Sequence, residues 1–380
     1  MKTKDCFAQE VFVTRPNLPS IGELSPLIRK ALKRRQVTNF GELHNQLEEG
    51  LREALGVKHV VLCCNGTMGL FLLLRALGLK GRVITTAFTF PATVHAVVMA
   101  GLEPLFCDID PDDYTLDADE AEKKLRKDVS CILGVNVFGN PCDIEALGAL
   151  GKKHGIPVIY DSAHAFFCRY KDKIIGGFGD AEVFSFHATK LFSTIEGGAV
   201  TTNNREIYLR LKELINFGIH SEDSVPGIGL NGKLSEIHAA FGLLSLDRIG
   251  PVLKKLQALS GCYRQMLSCV PGLKFQKSRP GSKVNNQYMT VEVLPEEFGL
   301  TRDQLHAALK KQNVITRKYF YPPAHRYECY SSSGFARSAE LPDTDKVAER
   351  ILCLPIYATL DMKDVKKICG LIRSIQKNAR

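Results

Sequence analysis

Between residues 60 and 160 the chain alternates short apolar runs with helical patterns, and this alternation leaves few folds open. Strand-like runs at 60–64, 83–86, 104–108, 131–137 and 158–160 are separated by helical patterns at 68–77, 92–99, 117–126 and 144–154. Repeated strand–helix–strand units predict an α/β fold of three layers, with helices on both faces of a mainly parallel central sheet. Ligands of such sheets bind beyond the C-terminal strand ends, so the chemistry is to be sought there.

The flanking segments extend this reading. An arm at 11–19, kept extended by its prolines, is expected on the surface of the larger body, followed by helical patterns at 21–33 and 41–55. Two further β-like runs, 183–186 and 198–202, precede a helix after Asn204, a glycine-rich region at 227–232 and one long helical stretch at 235–269. The pattern then changes to an alternating strand at 288–294 and helices at 302–311 and 361–376, which predicts a smaller C-terminal α+β domain. The expected division is 1–250, arm included, and 251–380.

A length of 380 residues and 45% hydrophobic content suit an ordinary globular core and exclude disorder. No apolar run approaches the roughly 18–20 residues of a membrane span and no signal-like segment follows Met1, so a cytoplasmic protein without membrane association is expected. The twelve cysteines are scattered, with no Cys-x-x-Cys and one adjacent pair, Cys63 and Cys64; they read as reduced, and no metal site is expected. A net charge of +9 invites a nucleic-acid reading, yet the basic residues cluster only at 29–35 and no recognition motif accompanies them. No nucleic-acid partner is expected; a basic surface equally favours small phosphorylated ligands.

Four features at the strand ends carry chemistry. Lys190 lies between the runs at 183–186 and 198–202, with Ser185 and His187 before it. A lysine held rigidly and partly buried is a nucleophile toward a carbonyl, whereas the plain alternative is a surface lysine in a turn. Asn65-Gly66-Thr67-Met68 follows the first strand and opens a helix, which suits a phosphate, although Asn-Gly is also a common turn. Phe88 and Phe90 stand where the next strand gives way to a helix; an aromatic there stacks on a planar ligand or simply fills the core. Asp161 ends the 158–160 strand, either as a turn residue or as the partner of a protonated ring nitrogen, with His164 placed to orient it. Together, a lysine, a phosphate cup, an aromatic stacker and a carboxylate are the parts that hold pyridoxal 5′-phosphate.

The chain resembles the DegT/DnrJ/EryC1/StrS sugar aminotransferases, a branch of fold-type I pyridoxal-phosphate enzymes with the aspartate-aminotransferase-like architecture. The likeness runs through Asn65-Gly66-Thr67, Thr85-Thr-Ala-Phe-Thr-Phe-Pro-Ala-Thr93, Asp161-Ser-Ala-His164, Phe184-Ser-Phe-His-Ala-Thr-Lys190, Glu196-Gly-Gly198, Gly229-Leu-Asn-Gly-Lys-Leu-Ser-Glu-Ile-His-Ala-Ala240, Tyr321-Pro-Pro-Ala-His325 and Leu354-Pro-Ile-Tyr357. The run ending in Lys190, followed by Glu196-Gly-Gly198, is the most specific of these. The resemblance implies that Lys190 forms the covalent link to pyridoxal 5′-phosphate, Asp161 pairs the pyridine nitrogen and Phe90 stacks on the ring. Thr67, the backbone of Met68 and Ser185 would bind the phosphate, and Gly66 and His164 would also be among the cofactor-binding residues. Asn231, with Lys233 as its rival, would reach the phosphate of the neighbouring subunit, which implies a homodimer with shared active sites.

Four positions depart from the family pattern: Met68 where alanine is frequent, Ile195 where glycine often precedes Glu-Gly-Gly, and Leu230 and Gly232 where aromatics flank the Asn231 loop. The resemblance also implies the reaction, in which an amino group passes from L-glutamate to a keto group of a nucleotide-linked deoxysugar. The arm at 11–16 is most similar to that of enzymes acting at C4 of dTDP-4-keto-6-deoxyglucose; amination at C3 of a dTDP-3-keto-6-deoxyhexose is the alternative. A 3-dehydratase branch carries histidine in place of the lysine, and Lys190 argues against it. A scaffold that merely kept the fold would need neither Lys190 nor Asp161.

Overall fold

The computed structural model describes residues 6–379. Its centre is a seven-stranded sheet made of β1 (His59–Cys63), β2 (Arg82–Thr86), β3 (Glu103–Cys107), β4 (Val129–Val135), β5 (Val158–Asp161), β6 (Ala181–Ser185) and β7 (Gly198–Thr202), in the order β1-β7-β6-β5-β4-β2-β3. The pairs among β3, β2, β4, β5 and β6 are parallel, while β7 runs antiparallel between β6 and β1. Most strand residues are buried, which is why the runs are continuously apolar and do not alternate.

Helices cover the sheet as the alternation predicts. They are α1 (Ile21–Arg34), α2 (Glu42–Leu55), α3 (Gly66–Ala76), α4 (Pro91–Met99), α5 (Ala118–Lys124), α6 (Ile144–His154), α7 (Arg205–Leu214) and α8 (Glu236–Asp247), while α9 (Ile249–Leu267) follows and packs in the C-terminal part. Their starts follow local chemistry: Asn65 caps α3 by accepting the Met68 N–H, Pro91 opens α4 and Asp143 caps α6. One expectation needs correction. The stretch at 235–269 is two helices, interrupted at Arg248 (φ −99°, ψ −1°). Pro251 has no N–H to offer and its ring conflicts with the carbonyl four residues back, so it fits only the first turn of a new helix.

The C-terminal part packs α9 and the helices Arg302–Lys310 and Met362–Ala379 around a small sheet of Leu273–Lys274, Met289–Val293 and Ile351–Leu354. Phe7 and Val11 of the arm are buried in this same cluster. The Val11 N–H donates to the Asn313 carbonyl (2.8 Å), the Ile315 N–H to the Val11 carbonyl (2.9 Å) and the Ile356 N–H to the Val13 carbonyl (3.0 Å). The arm expected with residues 1–250 therefore bonds to the C-terminal part, because its extended backbone needs partners that an apolar surface alone cannot supply. Among the described residues, no helix is long and apolar enough to cross a membrane.

Candidate active site

A cavity of about 460 Å³ opens at the C-terminal ends of β4, β5 and β6 and at the start of α3, a size suited to a small cofactor. Asp161, the last residue of β5, is buried at its floor. Its Oδ2 accepts from Thr93 Oγ1 (2.7 Å), and its Oδ1 accepts from the Ala163 N–H (3.0 Å). Thr93 Oγ1 lies 2.7 Å from Thr89 Oγ1, so a hydroxyl of the first turn of α4 and one of the β2–α4 connection back the carboxylate. Burial pushes the Asp161 pKa above the usual carboxylate value, against the opposing effect of these hydrogen bonds.

Lys190 lies in the loop joining β6 to β7. The loop is pinned by hydrogen bonds from the Lys190 N–H to the His187 carbonyl (2.8 Å), from the Phe186 N–H to the Gly197 carbonyl (2.8 Å) and from the Thr194 N–H to the Phe186 carbonyl (2.9 Å). The side chain turns into the cavity, where Nζ stands 3.0 Å from the Tyr288 hydroxyl. Desolvation lowers its pKa to about 8, although the charge of Asp161 favours the ammonium. Acid and amine thus face one cavity, each shifted toward its neutral form.

The phosphate cup predicted at Asn65-Gly66-Thr67-Met68 forms the cavity end at the α3 N-terminus, with Ser185 beside it. Close approach explains its glycines. A Cβ on Gly66 would stand 3.0 Å from Ser185 Cβ, and one on Gly198 would stand 2.7 Å from both the carbonyl carbon of Asn65 and the nitrogen of Gly66. Gly66, Thr67 and Ser185 line the cavity; Met68 does not, and its N–H is held by Asn65 Oδ1 at 2.8 Å. The N–H groups of Gly66 and Thr67, ahead of it, have no carbonyl within the helix to bind.

Phe90 lines the cavity and is 53% exposed, a ring face left uncovered by the fold. Phe88 is fully buried among Tyr114, Phe138 and Phe320, the core role. His164 also lines the cavity but does not orient Asp161: its Nδ1 accepts from the Phe138 N–H (3.2 Å), and its ring lies beside those of Phe138 and Phe320, nearly parallel to both, at 6.0 and 5.9 Å. Burial first, and Lys190 second, push its pKa well down, so it is a neutral ring.

Asn231 is exposed and lies outside the cavity lining, its backbone bridging to Asn216. Lys233 is engaged within the chain, donating to Asn216 Oδ1 (2.7 Å) with its ammonium 4.8 Å from the centre of the Phe217 ring. Ile195 adopts φ 71°, a left-handed conformation costly for a β-branched residue, which explains the glycine frequent there in the family resembled. Sequence reading missed Thr93, Tyr288, Tyr319 and Phe320. Thr93 could have been noticed as a hydroxyl one helical turn from Thr89; the others carry no local signal.

The donor set fits pyridoxal 5′-phosphate: a buried carboxylate opposite an amine with a lowered pKa, an uncovered aromatic face, and a helix N-terminus with hydroxyls for a phosphate. Fold and site together define a fold-type I pyridoxal-phosphate enzyme. The chain belongs to the DegT/DnrJ/EryC1/StrS aminotransferase family, whose model matches residues 21–373. It is therefore a pyridoxal-phosphate-dependent aminotransferase. It is 38% identical, over 96% of its length and 99% of the relative's, to a dTDP-4-amino-4,6-dideoxy-D-glucose transaminase of Shigella dysenteriae. A transaminase of the same name from Escherichia coli is 37% identical over 95% of this chain and 97% of its own. Among solved structures, DesI in the presence of its TDP-sugar product superposes with a TM-score of 0.94 at 37% identity, covering 99% of this chain and 95% of that one.

Proposed function

We propose that this aminotransferase moves an amino group from L-glutamate to C4 of dTDP-4-keto-6-deoxyglucose, as a cytoplasmic homodimer with shared active sites. The observation that carries the substrate assignment is the 38% identity over 96% of the chain to a transaminase named for a dTDP-4-amino-4,6-dideoxy sugar.

Bound in the cavity, pyridoxal phosphate supplies an aldehyde for amine exchange and a ring that accepts electrons from a carbanion. Asp161 holds a proton on the ring nitrogen, since a buried carboxylate is stabilised by a cation placed against it. Thr93 and the Ala163 N–H keep that carboxylate facing the cavity. Lys190 is the covalent anchor and, once displaced, the base that moves a proton at the substrate carbon; a pKa of about 8 lets it give and take that proton near neutrality. Phe90 offers its exposed face for stacking and His164 its uncharged ring as a wall. Thr67, Ser185 and the N–H groups of Gly66 and Thr67 hold the phosphate, with the Met68 N–H joining them only if Asn65 releases it.

Exposure of Asn231, against the internal engagement of Lys233, favours Asn231 as the residue that reaches the neighbouring phosphate. The test is incubation with a panel of keto-sugar nucleotides and glutamate, with products identified by mass spectrometry and NMR. A new amine at C4 of the dTDP-linked sugar is expected. Amination at C3, or turnover only with another nucleotide, overturns the substrate assignment.

A further inference from the structure

The segment just before the strand Met289–Val293 holds both halves of the site together. Asn285 Nδ2 donates to the carbonyls of His164 and Phe166, each at 2.9 Å. Gln287 Nε2 donates to the same His164 carbonyl (2.9 Å), while its Oε1 accepts the Leu191 N–H (2.8 Å). The next residue, Tyr288, meets the preceding residue of the lysine loop, with its hydroxyl 3.0 Å from Lys190 Nζ. Neighbouring residues of one segment thus grip neighbouring residues of the other. The Tyr288 ring is confined by His164 at 4.4 Å, Phe138 at 5.4 Å and Tyr319 at 6.4 Å, so the hydroxyl has little freedom to leave.

We propose that Tyr288 is a positioning residue for Lys190, holding the amine in one place through both of its protonation states. This rests on the reading of Lys190 as the covalent anchor and base. A hydroxyl both donates and accepts, so it accepts from the ammonium and donates to the neutral amine. A carboxylate in its place would favour the ammonium alone. Tyr288 keeps its own proton throughout, because burial raises its pKa well above that of a free phenol. A displaced lysine on a flexible four-carbon stem would otherwise sample many rotamers, whereas proton transfer needs one.

The hydrogen bond to the charged amine is the stronger of the two, so losing the hydroxyl should lower the Lys190 pKa further. The other titratable groups lining the cavity, Asp161, His164, His187, Glu196 and Tyr319, are unchanged in the test.

The variant is Tyr288→Phe, which keeps the ring volume, with its melting transition checked against wild type. Apoprotein is mixed with pyridoxal phosphate across a pH series, the shift of the absorbance band from the free aldehyde to the protein imine gives the rate of capture, and kcat and KM are measured on the loaded enzyme. The pH midpoint of capture should fall by several tenths of a unit or more, and kcat by about ten- to a hundredfold with KM nearly unchanged. An unchanged midpoint with kcat within twofold of wild type overturns the proposal. Should the phenylalanine variant fold poorly, Tyr288→His restores a hydrogen-bonding atom on a ring. Recovery of several-fold in kcat over the phenylalanine variant is then expected, and equal loss in both overturns the proposal. Lys190→Ala, run in parallel, separates the two readings: an imine band that still forms there, distinct from that of the free aldehyde, removes Lys190 itself from its role, whatever Tyr288 does.

Discussion

Thr93 donates to Asp161 across the gap between helix α4 and strand β5, with Oγ1 2.7 Å from Oδ2 and both side chains buried. One carboxylate oxygen is thereby fixed, and the Ala163 N–H binds the other. Asp161→Asn keeps the shape but removes the charge proposed to hold a proton on the ring nitrogen. Such a charge-assisted bond is worth roughly 1.5–3 kcal/mol, so kcat should fall by about ten- to a hundredfold while cofactor binding persists. Steady-state kinetics beside a cofactor titration checks this; near-wild-type turnover would make Asp161 a turn residue.

Lys190→Ala should abolish the imine band and turnover while leaving the far-ultraviolet circular dichroism spectrum unchanged, because the lysine is proposed to supply both the covalent link and the proton. Wild-type apoprotein should capture pyridoxal phosphate with a rate that follows the neutral amine. As Lys190 titrates at about 8, that rate rises about tenfold per pH unit below this value and levels off above it. A midpoint near that of a free lysine would show that burial does not tune the amine.

Gly198→Ala tests the cup. Its Cβ would stand 2.7 Å from the Gly66 nitrogen and 2.8 Å from the Phe184 carbonyl oxygen, so the start of α3 must shift. Overpacking of this kind costs about 1–3 kcal/mol, and here it falls on the phosphate end of the cavity. Thermal denaturation should show a lower midpoint, and equilibrium dialysis a cofactor held at least tenfold more weakly. Unaltered cofactor affinity would place the phosphate elsewhere.

Assembly and cofactor should be linked if Asn231 completes a neighbour's site: the cofactor tightens the dimer and dilution loosens the cofactor. Sedimentation of apo and loaded protein across a dilution series, repeated with Asn231→Ala, reads this directly. A monomer that keeps full cofactor and activity at nanomolar concentration is the outcome that sinks the shared site.

The α/β alternation was legible because the buried strands are mostly short apolar runs set between longer helical patterns. That Lys190, Asp161 and Phe90 meet at one cavity was legible because they fall at or shortly after strand ends within recognisable runs. Tyr288 was not, since it reads as the first residue of an ordinary strand and meets Lys190 only through the packing of the C-terminal part. The break at Arg248 was hidden by apolar periodicity continuing through it, although Pro251 carried the signal. On α8 the apolar positions Ile237, Phe241 and Leu244 remain only half-buried, while Gly242, which periodicity treats as a blank, lies so near α2 that a Cβ there would stand 2.5 Å from Leu47 Cδ2.

β1 has a single neighbour in the sheet, β7, and Cys63 pairs with Gly198, more than a third of the chain further on. On the ribosome, β1 and the Asn65-Gly66-Thr67 turn emerge on the order of ten seconds before the strand that must lie against them. Until then β1 is an apolar ribbon with no partner, and Lys190 has not been made. The nascent chain therefore acquires its cofactor late, after the last strand slides into the sheet, and the interval before that is the time during which a chaperone has most to shield.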